Sequence, residues 1–190
     1  YFYDVDDERE YLKNPYLFFE ESVLWKNPIT LDLVDKAVFP QENLRRLFPL
    51  PRDAQPDGLH DSRRVRAFVI DCLEKAVGCG HTLQTQEQII NSINERDKVQ
   101  PLEITKDILN YAENSFEDKI EVNYVDSDEQ TPKAFKYYKL QRYKDYKQII
   151  RQCVETRVFK ARRIKLEKDW RSIIDIKFGE LDASETEKDE

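Results

Sequence analysis

Basic and aromatic side chains alternate along residues 133–147, which read KAFKYYKLQRYKDYK. Such cations could contact phosphate groups, and the rings between them could stack on bases, which is what single-stranded nucleic acid binding requires. Aromatic residues that alternate along a strand also pack against a hydrophobic core, so a structural role for the same rings stays open. The candidate nucleic-acid-binding residues in this stretch are Lys133, Lys136, Tyr137, Tyr138, Lys139 and Arg142.

Charge is distributed unevenly along the chain. The 190 residues carry a formal net charge of −7, and acidic residues are concentrated at both ends. Residues 133–171, by contrast, contain fourteen Lys or Arg residues and only four Asp or Glu residues. A basic excess of this size is typical of a surface that binds a polyanion, although the solvated face of a long helix has the same composition.

The other reactive side chains form no recognisable catalytic or metal site in the sequence. Cys72, Cys79 and His81 could in principle bind zinc, but their spacing fits no standard zinc finger. Cys72 also falls on the apolar face of a predicted helix, which favours a buried thiol. Paired carboxylates such as Asp6 and Asp7 lie in charged segments, where solvated side chains are the default. The sequence therefore predicts no catalytic residue, no metal ligand and no cofactor.

The cysteine count and the hydropathy of the chain bear on its location. Three cysteines are too few and too odd in number for a disulfide framework, which suits a reducing compartment. The sequence has no apolar run of the roughly 18 residues that a membrane helix needs, and its start lacks the features of a signal peptide. We therefore expect a cytoplasmic protein without membrane contact.

Hydrophobic periodicity predicts a mainly α fold with a small β-hairpin. The stretch DSRRVRAFVIDCLEKAVGCGHTL, residues 61–83, is typical of an amphipathic helix with an N-terminal cap and a glycine stop. Thr85 and Gln88 predict a capping box for a second helix, and a third is expected after Pro101. The predicted divisions are a helical N-terminal subdomain (1–50), a linker (51–60), a winged-helix-like subdomain (61–140), a long basic helix (141–179) and an acidic tail (180–190).

The order of elements after residue 60 is that of a winged helix. Three short helices are followed by two segments with a period of two, at 119–125 and 133–140, which predict a hairpin. In DNA-binding winged helices, the third helix enters a groove and the wing touches phosphate. Here the outer face of the third helix is mostly acidic, which is a poor surface for reading bases in the major groove. We therefore expect this subdomain to be structural or to bind through its wing.

Gly78, Gly80, His81 and Thr82 follow the first of these helices and form a predicted structural corner. Glycine relieves backbone strain at a helix end, and a histidine there can interact with the last carbonyl groups. The sequence spacing places no carboxylate or nucleophile beside His81. We therefore expect these four residues to turn the backbone and to have no catalytic role.

Several of these segments together resemble a known family. The order is Asn14-Pro15-Tyr16, then LDLVDKAVFP (residues 31–40), then the helix ending in Gly80-His81-Thr82, then a capped helix, a third helix and a hairpin ending in YYKLQRYKDY. This order is similar to the helix-hairpin-helix and winged-helix region of RecD-like DNA helicases, of the exonuclease V alpha-subunit type. The resemblance covers about residues 14–150.

The resemblance implies an accessory DNA-binding and coupling module that precedes the motor of an ATP-dependent helicase acting in DNA repair or recombination. It implies single-stranded or forked DNA and the motor domain of the same polypeptide as partners, and the helix after Leu140 would lead toward that motor. In this reading Arg63, Arg64 and Arg66 join the candidate DNA contacts.

Two departures from the family pattern bear on this expectation. The segment corresponding to the hairpin, residues 19–38, contains no glycine, although glycine lets backbone amides approach phosphate. The chain also contains no G-x-x-x-x-G-K-[ST] sequence, so ATP and Mg²⁺ are expected only at a motor domain outside these residues. The alternative is an adaptor that docks on another domain or on a partner protein and does not bind DNA.

Overall fold

The computed structural model describes residues 5–116, 119–125, 135–160, 169, 171 and 174. The helices there are α1 (Val5–Lys13), α2 (Leu17–Ser22), α3 (Leu31–Val38), α4 (Glu42–Leu47), α5 (Ser62–Gly78), α6 (Gln86–Glu95), α7 (Lys106–Ala112) and α8 (Gln141–Lys160). The strands are β1 (Gln84–Thr85), β2 (Ile120–Val125) and β3 (Phe135–Leu140). The prediction of a mainly α fold with a small β part is therefore confirmed.

The sheet is antiparallel, and β3 lies between β1 and β2. Ile120 pairs with Leu140 at one end of the β2–β3 ladder and Val125 pairs with Phe135 at the other. The two-residue strand β1, which immediately precedes α6, pairs with Tyr137 and Tyr138 of β3. The sequence predicted only the hairpin, because two residues are too short a stretch to show a period of two.

Local capping signals place the ends of α5 and α6. The Asp61 carboxylate accepts a hydrogen bond from the backbone N–H of Arg63 at 2.9 Å and so caps α5. Thr85 and Gln88 form the predicted capping box, in which each side chain accepts a hydrogen bond from the other residue's backbone N–H. These reciprocal bonds satisfy N–H groups that a helix start otherwise leaves without partners.

Gly80, two residues after the end of α5, has a left-handed backbone conformation with a φ of 85°. The N–H of Gly80 donates to the Val77 carbonyl and the N–H of His81 donates to the Ala76 carbonyl, each at 2.8 Å. This pair of bonds is the Schellman arrangement, in which the residue with positive φ is usually glycine. The His81 side chain and Thr82 are exposed at this corner.

One hydrophobic core joins residues from both sides of the predicted linker. Tyr16 and Leu31 from the N-terminal helices lie in the same buried cluster as Phe68 of α5, Ile89 of α6 and Tyr138 of β3. The chain divides into two compact units, residues 1–148 and 149–190, and this core belongs to the first. The division into subdomains at residues 51–60 stays a prediction.

The second unit begins within α8, and the side chains of residues 149–159 are exposed. The predicted basic helix extends to residue 179 and the predicted acidic tail covers 180–190; apart from single positions, residues 161–190 lie outside the described part of the chain. Within the described residues, no helix is both long enough and apolar enough to cross a membrane.

Candidate nucleic-acid interface

Lys136 connects β3 to α7. Its Nζ donates a hydrogen bond of 2.8 Å to Oδ1 of Asn110 and forms an ion pair with the Glu113 carboxylate. The same nitrogen lies 5.6 Å from the ring centroid of Tyr124 and 5.8 Å from that of Tyr138, within the range of a cation–π contact. Only 12% of the Lys136 side chain is exposed. The ammonium group therefore contacts other groups of the protein on several sides.

Tyr138 and Tyr137 point to opposite faces of the sheet, because side chains alternate along a strand. Tyr138 is fully buried, and its hydroxyl donates to a Glu113 carboxylate oxygen at 2.6 Å. Burial, together with the adjacent Glu113 carboxylate, raises the pKa of the Tyr138 hydroxyl. The ring packs edge to face on Phe116, so Tyr138 presents no face on which a base could stack. Tyr137 is half-buried.

Lys139 lies on the same face of the sheet as Tyr137 and pairs with a carboxylate on the neighbouring strand. Its Nζ is 3.1 Å from Oε2 of Glu121, and Nζ of Lys144 is 3.7 Å from the same oxygen. Asn123 donates to the other Glu121 oxygen at 2.8 Å. The Asn123 amide and the Lys139 ammonium hold the pKa of Glu121 below its usual value, so this carboxylate is charged at neutral pH.

Arg142 is the second residue of α8 and pairs with Glu74 of α5. Its guanidinium also donates to the Tyr143 hydroxyl at 3.3 Å and lies 5.0 Å from the centroid of the same ring. The Arg142 side chain is 24% exposed and that of Glu74 is 17% exposed. Arg142 therefore fastens the start of α8 to α5.

Arg64 and Arg66 are buried, whereas 23% of the Arg63 side chain is exposed. Arg63 pairs with the capping residue Asp61 at 2.7 Å and donates to the backbone carbonyls of Lys13, Asp53 and Gln55. Its guanidinium thus joins the start of α5 to the end of α1 and to the linker.

Arg64 is completely buried and uses each of its guanidinium nitrogens. Nε and Nη2 donate to the two carboxylate oxygens of Asp35, each at 2.8 Å. The remaining bonds go to the backbone carbonyls of Leu59, Gln100 and Pro101. The Tyr16 hydroxyl completes this buried group by donating to Asp35 Oδ1 at 2.8 Å. A bidentate arginine pair of this kind is both strong and geometrically specific.

Arg66, two residues later on another side of α5, makes an equivalent connection. It donates through Nε and Nη2 to both carboxylate oxygens of Glu20 on α2, each at 2.9 Å, and through Nη1 to the Ser115 carbonyl at 2.7 Å. Both side chains are nearly inaccessible to solvent. Arg64 and Arg66 consequently cannot reach a polyanion in this conformation, because their charged groups lie in the interior and are already paired.

The sequence did not indicate the acidic partners that surround the candidate cations. Glu74, Glu113 and Glu121 come from α5, from the turn after α7 and from β2. Glu74 and Arg142 are 68 residues apart along the chain, and Glu113 and Lys136 are 23 apart. The only signal that pointed toward them was the acidic outer face of the third helix. Lys133 lies outside the described residues.

Two cations of the first unit and three aromatic side chains remain accessible near this region. Lys144 is 55% exposed, and Lys147 is exposed with no ion-pair partner among the described residues. Tyr111 of α7, Tyr124 of β2 and Phe135 of β3 are exposed by 71%, 64% and 55%.

Across the described residues, no group of three or more His, Cys, Asp or Glu side chains is arranged to hold a metal ion. Comparison of the chain with protein-family models, curated proteins and solved structures finds no match.

Proposed function

We propose that this chain is an accessory DNA-binding and coupling module of a RecD-like ATP-dependent DNA helicase, with a winged-helix-like part between residues 61 and 140. The observation that carries the proposal is the order α5, β1, α6, α7, β2, β3 with β3 central in the sheet. In a winged helix, three helices precede a hairpin in this way. The helix α8 follows β3 without a loop, and in this proposal it leads toward a motor domain.

In this proposal, DNA competes with carboxylates for the same cations. Lys139 and Arg142 are each 24% exposed, and their partners Glu121 and Glu74 are similarly accessible. Because each of these cations is partly exposed, a phosphate group could approach it from solvent and compete with the carboxylate. Lys144 and Lys147 would extend the contact along α8. We expect weak binding that depends strongly on salt.

The proposal is tested by the salt dependence of binding to a fluorescein-labelled oligothymidine, followed by anisotropy. The variant Lys139→Gln/Arg142→Gln removes two phosphate contacts, so the slope of log affinity against log salt should become shallower by about 1.4, or ~0.7 for each contact. The control Arg46→Gln/Lys75→Gln loses the same charge from two other cations and should leave the slope unchanged. Equal slopes for the two double variants would remove this surface as the DNA contact.

The second candidate is an adaptor that docks on another domain or on a partner protein and does not bind DNA. The observation that favours it is the pairing of every described candidate cation with a carboxylate: Lys136 with Glu113, Lys139 with Glu121, Arg142 with Glu74, Arg63 with Asp61, Arg64 with Asp35 and Arg66 with Glu20. Such pairs cancel the local positive potential that a polyanion would need.

The two candidates give opposite results when the carboxylates are neutralised. Glu74→Gln/Glu121→Gln leaves the cations without their charged partners, so a DNA-binding module should bind oligothymidine several-fold more tightly. An adaptor should show no measurable affinity in either form at physiological salt. Glu42→Gln/Glu87→Gln is the matched control, because both of these carboxylates are 77% exposed and lie on α4 and α6. An increase in affinity in both double variants would reflect net charge alone.

A further inference from the structure

The two faces of the antiparallel sheet have different surroundings. Residues that are paired across two strands point to the same face, so Tyr138 and Leu140 share a face with their partners Val122 and Ile120, and this face joins the hydrophobic core. The opposite face, called here the outer face, carries Phe135, Tyr137 and Lys139 of β3, Glu121 and Asn123 of β2, and Thr85 of β1. Each of these six residues is half-buried or exposed.

Two aromatic rings occupy successive positions of the outer face, at Phe135 and Tyr137. Residues two apart on a strand lie about 6.7 Å from each other and point the same way. Phe135 is 55% exposed and Tyr137 is half-buried. Rings on a strand usually pack against apolar neighbours, but the cross-strand neighbours of Tyr137 are Asn123 and Thr85, which are polar. Among the described residues, neither ring stacks on another aromatic side chain.

Two ammonium groups lie beside these rings. Lys139 takes the next outer-face position after Tyr137, and its Nζ is 3.1 Å from Oε2 of Glu121. Nζ of Lys144, a residue that is 55% exposed, lies 3.7 Å from the same oxygen. Because the two cations share one carboxylate, a positive charge remains in excess at this end of the outer face.

Rings followed by cations match the chemistry of a single nucleic acid strand, whose bases can stack on the rings while its phosphates meet the cations. A duplex cannot use the rings in this way, because its base faces are already stacked on one another. We propose that the outer face of the sheet binds the unpaired bases of single-stranded nucleic acid, with Phe135 and Tyr137 as stacking residues and Lys139 and Lys144 at the phosphates.

This inference rests on the proposed function and adds to it a selectivity for single strands, which phosphate contacts alone do not provide. It also separates two neighbouring tyrosines, because Tyr137 stacks on a base whereas Tyr138 is buried in the core. A protein partner fits the outer face less well. Protein interfaces are centred on a desolvated apolar cluster, whereas Asn123, Thr85 and Glu121 surround the rings with polar groups.

The test compares two fluorescein-labelled strands of about 15 nucleotides, an oligothymidine and an abasic oligonucleotide with the same number of phosphates. Anisotropy titrations with the whole chain should give about tenfold tighter binding of the oligothymidine. The variant Phe135→Leu/Tyr137→Leu should remove most of this difference and leave the abasic strand bound as before, because only the stacking is lost. Phe135→Tyr/Tyr137→Phe keeps both rings and should bind oligothymidine as the parent does.

Tyr111→Leu/Tyr124→Leu is the matched control, since these rings are exposed by 71% and 64% but lie on α7 and on the other face of β2. It should change the affinity less than twofold, and circular dichroism checks that each variant folds as the parent does. Equal binding of the two strands by the parent overturns the inference. So does an oligothymidine affinity that Phe135→Leu/Tyr137→Leu leaves unchanged, or that the control weakens as much.

The phosphate contacts are measured separately, through the salt dependence of the Lys139→Gln/Arg142→Gln variant. A shallower slope in that variant, combined with no effect of Phe135→Leu/Tyr137→Leu, refutes the stacking and leaves the proposed function in place. An unchanged slope refutes the phosphate contacts of the proposed function, whatever the ring variant shows.

Discussion

At the scale of single residues, Arg64 shows how much of this fold depends on buried charge. Its side chain is entirely inaccessible, as is nearly all of Asp35. Removing two charges from water is costly, and the cost is offset only when every donor finds a partner with good geometry. The five hydrogen bonds of the Arg64 guanidinium meet that condition. Loss of one partner leaves the other charge buried and unpaired.

We therefore expect Arg64→Gln to lower the free energy of unfolding by about 3–5 kcal/mol, as for other broken buried pairs. Arg46→Gln removes an exposed pair on α4 and should cost at most about 0.5 kcal/mol. Urea unfolding of both variants measures the two values. A loss below about 1 kcal/mol in Arg64→Gln would contradict the assigned role of this pair.

Cys72 should be the slowest of the three thiols to react. Burial, with a further contribution from the neighbouring Asp71 carboxylate, raises the pKa of the Cys72 thiol to about 11, whereas Cys79 and Cys153 are exposed. Since the thiolate is the nucleophile, alkylation of Cys72 should become faster with pH up to about 11. Iodoacetamide labelling of the Cys79→Ser/Cys153→Ser variant isolates this rate. A rate that reaches its plateau near pH 8 would show that the thiol is not in a desolvated environment.

At the scale of elements, α5 is fixed at both ends by local chemistry and along its length by long-range contacts. Asp61 caps its start and Gly80 turns the chain after its end. Between them, Arg63, Arg64 and Arg66 bind groups on the N-terminal helices and on the loops that follow α6 and α7. The helix that the sequence identifies most clearly is thus also the one on which the surrounding elements are assembled.

The two glycines at the end of α5 should respond to alanine in opposite ways. Gly80 has positive φ, so Gly80→Ala should lower the free energy of unfolding by about 1 kcal/mol. Gly78 is helical and an added Cβ would meet no atom within 4 Å, so Gly78→Ala should leave stability unchanged or raise it by up to about 1 kcal/mol. Thermal or urea unfolding shows whether each substitution raises or lowers the free energy of unfolding. A stabilising Gly80→Ala would rule out the left-handed turn.

At the scale of the whole molecule, the shared core and the buried ion pairs should make the first unit unfold cooperatively. Arg64 and Arg66 connect α5 to Asp35 and Glu20, which precede the predicted linker. Tyr16 contributes both to the core and to the Asp35 hydrogen bonds. The N-terminal helices therefore should not unfold independently of residues 61–140.

This cooperativity can be measured with two probes on opposite sides of the linker. In a Trp170→Phe variant, Trp25 is the only tryptophan and reports the N-terminal helices. Thiol labelling of Cys72, in the Cys79→Ser/Cys153→Ser background, reports α5. We expect both urea transitions to have the same midpoint, which is the test of two-state behaviour. Separate midpoints would mean that residues 1–50 form an independent domain.

The sequence by itself determined the features whose causes lie within a few residues of one another. The capping box of Thr85 and Gln88 was predicted, as were a cap at Asp61 or Ser62 and a stop at Gly78 or Gly80, because each bond involved spans no more than five residues. The structure has the cap at Asp61 and the left-handed residue at Gly80. The apolar spacing of α5 predicted the burial of Val65, Phe68, Val69 and Leu73, but the structure also buries Arg64, Arg66, Ala67 and Ile70 on the other sides of the helix.

Only the tertiary structure decided which charged side chains are buried in ion pairs and which lie at the surface. Arg64 and Lys139 look alike in sequence as possible phosphate contacts, yet one is fully buried against Asp35, 29 residues away, and the other lies beside Glu121 at the surface. The pairing of β1 with β3, more than 50 residues apart, was decided in the same way. A local sequence pattern gives the type of each side chain. The burial of that side chain and its ion-pair partner depend on which distant segments meet in the core.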